Sequence, residues 1–282
     1  MPLDEDKYPV ESDRRRFVKG VVGGAALAGV TTASAAAVNT ATAPTGAGGG
    51  TTTFYAVENT DGPAPRGMPQ IPVELDKEGY LKGAWPEYEE GADAAVTEDY
   101  EGTGVDYSSA WFQYCGVQTY SGVYPEADQD NYFRYSDSGY DWHSDKGGDK
   151  IHIDDFQELG DPWREWNTSF GTKANGKPAA GTWRSQDLAP AETMPIQVIR
   201  SENVQELAKE DEWIDASTAE GCVAWLNKCT HFCCVPGFKT IAGSANFGAA
   251  DKIYCQCHQS VYDPFSIVQK SFVALPRPEK EG

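Results

Sequence analysis

The sequence predicts a mostly β protein whose C-terminal part is a small antiparallel domain carrying its chemistry on loops. Three observations predict it. Short β-prone runs recur after Met194, Gly and Pro punctuate them, and two compact cysteine–histidine boxes follow directly on two of the runs. Pro195 to Arg200 alternates as a strand does, and Ser201 to Lys209 is polar with helical composition. Cys222-Val223-Ala224-Trp225-Leu226 leads into the first box, Cys229-Thr230-His231-Phe232-Cys233-Cys234. Lys252-Ile253-Tyr254 leads into the second, Cys255-Gln256-Cys257-His258-Gln259-Ser260-Val261-Tyr262. Two more short runs follow, Ser266-Ile267-Val268 and Phe272-Val273-Ala274-Leu275.

Composition bounds the function. The chain has 282 residues, enough for one or two domains with a sizeable core. A net charge of −20 excludes nucleic acid as a natural partner, because phosphate binding needs a basic surface. Mean hydropathy of −0.53 excludes a multi-span membrane protein. The acidic excess is spread along the chain, which favours a surface adapted to concentrated salt over a single docking face for a basic partner. At ~1 M salt the Debye length falls to ~3 Å, so long-range steering would count for little there.

The N-terminus reads as an address. Residues 1–20 hold Asp13-Arg14-Arg15-Arg16-Phe17-Val18-Lys19, which resembles a twin-arginine export signal with Arg14 and Arg15 as the pair. Residues 21–38 are uncharged and weakly apolar, and as a helix would span ~27 Å against a hydrocarbon core of ~30 Å. The reading taken is a single transmembrane anchor with everything after it outside. Cleavage at Ala33-Ser34-Ala35 or Ala35-Ala36-Ala37 is the competing outcome. Residues 39–53, rich in Gly, Thr and Ala, read as a flexible linker. An extracytoplasmic compartment permits disulfides.

Residues 54–194 form an acidic, aromatic-rich part of the head. Between Pro86 and Pro162 stand nineteen Asp or Glu against three Lys or Arg, which reads as an acidic insertion. Trp111 to Tyr114 and Asn131 to Tyr135 read as short strands or aromatic-packed loops. His143 and His152 have no cysteine or histidine at ligand spacing and read as surface residues; Cys115 and Cys222 read as buried free thiols.

Each box offers one cysteine and one histidine at ligand spacing, plus further cysteines. Two thiolates and two imidazoles suit zinc, or a [2Fe–2S] cluster with both histidines on one iron. Zinc-finger spacing usually pairs cysteine with cysteine and histidine with histidine. The mixed order here suits two loops gripping a two-iron cluster from opposite sides.

Over residues 195–282 the boxes resemble those of Rieske iron–sulfur proteins, in the order Cys-Thr-His-x-x-Cys and Cys-x-Cys-His-x-Ser-x-Tyr. The resemblance implies Cys229, His231, Cys255 and His258 as cluster ligands and Cys234–Cys257 as a disulfide between the loops. It also implies that the Ser260 and Tyr262 hydroxyls raise the cluster potential. Leu275-Pro276-Arg277-Pro278 resembles the proline loop that covers the cluster. Two positions depart from the family pattern: its glycines are Cys233 and Gln259 here. The resemblance implies the Rieske subunit of a quinol-oxidising, cytochrome bc-type complex at the cell membrane. Its partners would be a cytochrome b-type subunit, quinol, and a cytochrome c or small copper protein as acceptor. His258 would be the quinol contact and proton acceptor. The alternatives are a Rieske subunit of an extracytoplasmic molybdenum oxidoreductase (nitrate reductase or arsenite oxidase type), an oxygenase ferredoxin, or a structural zinc module.

Overall fold

A computed structural model describes residues 50–87, 94–115, 117, 130–160, 163–166, 168–173, 175–186, 188 and 193–274. The twin-arginine stretch, the anchor, residues 39–49 of the linker and the proline-loop residues lie outside them. Among the described residues no helix is long and apolar enough to cross a membrane.

The chain is mostly β, as its sequence predicts, and most of its strands join in one sheet. The strands are β1 (Gly50–Asp61), β2 (Met68–Ile71), β3 (Val73–Leu75), β4 (Leu81–Gly83), β5 (Val96–Thr97), β6 (Tyr107–Ser108), β7 (Phe133–Tyr135), β8 (Lys177–Trp183), β9 (Met194–Arg200), β10 (Cys222–Leu226), β11 (Gly237–Phe238), β12 (Ile253–Cys255) and β13 (Ser260–Ala274). Nine of them form a sheet in the order β11-β12-β13-β1-β2-β10-β9-β8-β7, and every pairing in it is antiparallel. The sheet crosses the expected 194/195 boundary three times: the β8–β9 pair straddles it, β2 pairs with β10, and β1 pairs with β13 along its length. Residues 50–53, assigned to the linker, are strand instead, with Thr51 opposite Val273 and Thr53 opposite Ser271. Threonine fits a pleated, half-buried surface, so a Thr-rich stretch with no apolar periodicity can still pair. The run at 266–268 and residues 272–274 of the next are parts of the single strand β13. Its pairing with β1 shifts between Val57 and Glu58, which face Ile267 and Asp263, so Pro264 falls in a bulge where no ladder N–H is needed.

The helical reading at 201–209 resolves into α1 (Glu202–Leu207), capped by the Ser201 side chain accepting from Asn203 N–H; α2 is Glu212–Ser217. Trp111 and Phe112 lie in a short 3-10 helix (Ser109–Phe112) rather than a strand. β7, in contrast, falls within the aromatic stretch 131–135.

Two cores organise the molecule. The larger joins the acidic part to the sheet through buried Phe54, Trp111, Phe112, Phe133, Trp163, Trp183 and Trp213. A buried Trp usually finds a partner for its N–H; Trp213 Nε1 donates to Gln70 Oε1 at 2.7 Å, whereas the Nε1 atoms of Trp111 and Trp163 are buried without one among the described residues. The smaller core packs Val57, Met68, Val223, Trp225, Phe238, Ile253 and Tyr262 with Cys229 and Cys255, directly beneath the two boxes. His143 is a correction: it is fully buried, not a surface residue. Its Nε2 accepts from Ala180 N–H at 3.1 Å, and its ring packs on Tyr135, Tyr140 and Trp142. Burial lowers its pKa, so it sits neutral in an aromatic pocket. His152 is partly exposed, with Nε2 2.7 Å from the Glu78 carbonyl.

Candidate metal centre

The two boxes fold into turns of one kind. In the first, Cys229 O accepts from Cys233 N–H at 2.9 Å; in the second, Cys255 O accepts from Gln259 N–H at 2.8 Å. In each turn the residue four positions after the cysteine takes a left-handed backbone, with φ of 62° at Cys233 and 63° at Gln259. These are the two positions at which the resembled Rieske pattern has glycine. Here Cys233 and Gln259 hold the conformation, although a left-handed backbone disfavours a side chain by roughly 1–2 kcal/mol. Cys255 and Ser260 pair across the β12–β13 hairpin, so the second turn closes within the ladder. The first has no such frame: residues 227–236 lie outside any strand.

A backbone approach that the sequence did not reveal fixes the second turn. Gly62 has φ of 82°, and a Cβ there would lie 2.5 Å from Gln259 O. Only glycine lets the chain between β1 and β2 pass so close to the box. Lys239, buried between the boxes in sequence, pairs with Asp251 at 3.0 Å and donates to the Thr172 carbonyl at 2.5 Å, which holds the excursion between the boxes. Burial alone would raise the Asp251 pKa, but Lys239 and Thr172 outweigh it and keep the carboxyl below its ordinary value.

The predicted ligands converge. The Cys229 and Cys255 side chains are buried, and their thiols share a hydrogen bond. That bond lowers the Cys229 pKa and raises that of Cys255, since the second thiol to ionise would face the first thiolate. The His231 and His258 rings meet at a centroid distance of 4.7 Å with planes 81° apart. His258 is exposed, and Phe232 leans on both imidazoles at 4.4 and 4.9 Å while remaining 63% exposed itself.

Tyr262 is fully buried, and its Oη donates to Cys229 Sγ at 3.2 Å and accepts from Thr230 N–H at 3.2 Å. Burial and the bond to Cys229 raise its pKa, so the phenol remains a donor. Ser260 Oγ is buried and has no partner at full hydrogen-bond geometry, although its hydroxyl contributes to lowering the Cys229 pKa. Thr230 Oγ1 donates to the Arg66 carbonyl at 2.5 Å, a tie from the β1–β2 connection to the first box.

Cys234 and Cys257 are disulfide-bonded, with Cα atoms 6.7 Å apart, and link the two loops. A second disulfide joins Cys115 to Cys233, with Cα atoms 5.4 Å apart. This corrects the reading of Cys115 as a free thiol. The two half-cystines are 118 residues apart in sequence, and nothing in the spacing brings them together. Cys222 is a buried free thiol, as expected, and burial pushes its pKa up to about 12.

Three features bear on whether the residues suit a two-iron cluster. The first is a pair of buried sulfurs facing each other at the base of two matching loops. The second is the buried His231 Nδ1, which has no hydrogen-bond partner among the described residues; a neutral ring nitrogen without a donor is what a metal ligand offers. The third is the segregation of donors: sulfur inside, imidazole at the tip. The donor set fits. The sulfurs of Cys234, Cys255 and Cys257 also lie within 4.8 Å of one another, but two of them are joined as a disulfide and have no thiolate to give.

Searched against protein-family models, the chain matches none, and no curated protein or solved structure is significantly similar to it.

Proposed function

We propose that this protein holds a Rieske-type [2Fe–2S] cluster through Cys229, Cys255, His231 and His258 and transfers single electrons between quinol and a soluble acceptor. The observation that carries the reading is the pair of matching turns that face two buried cysteines toward each other, with two imidazoles in contact above them. Bound there, the cluster supplies a one-electron acceptor whose potential is raised because neutral imidazoles replace two thiolates.

The chain's own residues prepare that chemistry. Tyr262 directs a hydroxyl at Cys229 and favours extra negative charge on that sulfur. Phe232 packs on both imidazoles, and the Cys234–Cys257 disulfide ties the loop junction. His258 is the more exposed imidazole and is the group to accept a quinol hydroxyl's hydrogen bond and then its proton. The boxes carry no charged residue from Cys229 to Gly237 or from Cys255 to Tyr262, in a chain of net charge −20. A neutral tip suits docking on an apolar membrane subunit, where an acidic one would not. The twin-arginine stretch and apolar run support an extracytoplasmic head on a single-pass anchor, beside a cytochrome b-type subunit and a cytochrome c or copper-protein acceptor.

Metal analysis together with electron paramagnetic resonance of the dithionite-reduced protein tests the reading. Two irons and two acid-labile sulfides per chain, with a rhombic signal of mean g below 2, are expected. One zinc and no signal would establish a structural zinc module instead.

A further inference from the structure

We propose that the Tyr114–Cys115 segment is a positioning element for the first metal-binding loop, holding Cys229 and His231 in place from outside both boxes; this rests on the cluster reading above. The two loops differ in what frames them. The second is closed by the Cys255–Ser260 pair of a β hairpin. The first leaves β10 at Leu226 and meets no strand until Gly237. Its turn must be fixed by something else.

Tyr114 and Cys115 contact that turn before, at and after its cysteine ligand. Before it, the buried Tyr114 hydroxyl donates to the Lys228 carbonyl at 2.8 Å and reaches the Leu226 carbonyl at 3.3 Å. At the ligand, Cys115 Sγ lies 3.7 Å from the Cys229 carbonyl oxygen, the same oxygen that accepts from Cys233 N–H. Beyond it, Cys115 is bonded covalently to Cys233. Cys233 is the residue in left-handed backbone, where a non-glycine residue would otherwise relax the turn.

The brace is itself anchored. Trp111 and Phe112, a few residues earlier, are fully buried in the larger core. The Arg66 guanidinium stacks 5.0 Å from the Tyr114 ring, and the Arg66 carbonyl accepts from Thr230 in the first box. The acidic part of the head thus reaches the metal centre at a defined place. A cysteine at a glycine position and a cysteine far upstream are read together as one device.

The test compares wild type with Cys115→Ser/Cys233→Gly and with Tyr114→Phe. Glycine at 233 tolerates the positive φ, so the double variant removes the bond without leaving a strained free thiol. The readouts are iron release to a ferrous chelator, the midpoint potential and line shape of the reduced protein by electron paramagnetic resonance, and melting temperature. Amide hydrogen exchange over residues 227–236 in the metal-free protein is the fourth.

The double variant is expected to take up iron, release it about tenfold faster, as loss of a residue supporting a ligand commonly does, and show a broadened, shifted signal. Tyr114→Phe, with the disulfide intact, should move the same readouts in the same direction by less. Unchanged iron release and potential with only a lower melting temperature would reduce the disulfide to a fold staple and overturn the proposal. If the double variant does not fold, Tyr114→Phe decides by the same readouts. If the wild type carries no two-iron cluster, the functional reading falls by itself. The brace is then decided by exchange in the metal-free protein: faster exchange over 227–236 in the variants supports it, and unchanged exchange overturns it.

Discussion

Replacing Tyr262 with Phe isolates one oxygen at the centre of the site. The phenol is buried and donates to Cys229 Sγ at 3.2 Å. Phe keeps the ring in the core beneath the boxes and removes only that oxygen. A hydrogen bond to a charged acceptor contributes about 1.5–3 kcal/mol. With the proposed two-iron cluster bound, the bond would exist in both redox states, so only the part that strengthens on reduction would count. Taking that part as on the order of 1 kcal/mol, and ~59 mV per tenfold for one electron, the midpoint potential falls by about 40 mV. The substitution also strands Thr230 N–H, which Tyr262 Oη accepts at 3.2 Å. An unsatisfied, partly buried amide costs ~1–3 kcal/mol, and at ~2–4 °C per kcal/mol for a domain of this size the melting temperature should drop by several degrees. A redox titration followed by electron paramagnetic resonance reads the first effect, and calorimetry the second. A midpoint that stays within about 10 mV of wild type, or rises, would show that Tyr262 does not tune Cys229 and that the argument from hydroxyl geometry to potential is mistaken.

Ser260→Ala should separate tuning from stability: with its Oγ buried and without a full hydrogen bond in the protein, removal leaves the metal-free protein equally or more stable to urea while the midpoint falls. Gly62→Ala forces a Cβ to 2.5 Å from Gln259 O at positive φ, so loss of roughly 1–3 kcal/mol from backbone strain alone and weaker iron retention are expected from urea melts and iron assays. Asp251→Asn takes the countercharge from Lys239, whose side chain is fully buried and keeps its bond to the Thr172 carbonyl, and should cost about 3 kcal/mol by denaturant titration. The same pair gives a pH dependence. Because the folded Asp251 pKa lies below its ordinary value of 3.8, its contribution is complete above that value and is lost as pH falls through the folded pKa. Wild type should therefore lose stability below about pH 4 more steeply than the Asn variant.

The convergence of the boxes was legible in part because each box is local. The cysteine, histidine, hydroxyl and turn positions of the second box lie within Cys255 to Tyr262, so a strand ending at Cys255 and restarting at Ser260 brings them together with no long-range information. Cys222 to Leu226 is legible for the same reason, as a continuous apolar run bounded by polar residues. What was not legible depends on distant partners. Residues 50–53 are strand only because β13 lies beside them. His143 is buried only because the chain around Tyr135 to Trp142 folds an aromatic pocket over it. Pro264 and the polar Gln269-Lys270 divide β13 on paper, whereas a bulge and a long partner strand carry it through. Cys115 pairs across 118 residues, and Gly62 matters only for the backbone it lets past.

The two departures from glycine and the second disulfide are connected. Both turns hold left-handed backbone at the residue whose N–H reaches the cysteine carbonyl, a requirement that glycine would meet without strain. Here the two turns meet it by different means. Gln259 sits where the hairpin closes and where Gly62 packs its backbone against the turn, so the ladder and the close approach hold the conformation. Cys233 has neither and is held by a covalent bond into the aromatic head. The requirement is the same in both loops, and each answer uses what its surroundings provide. A glycine therefore need not mark such a turn in sequence. What the two turns share is the left-handed backbone four residues after the cysteine, held by packing at Gln259 and by a cross-link at Cys233.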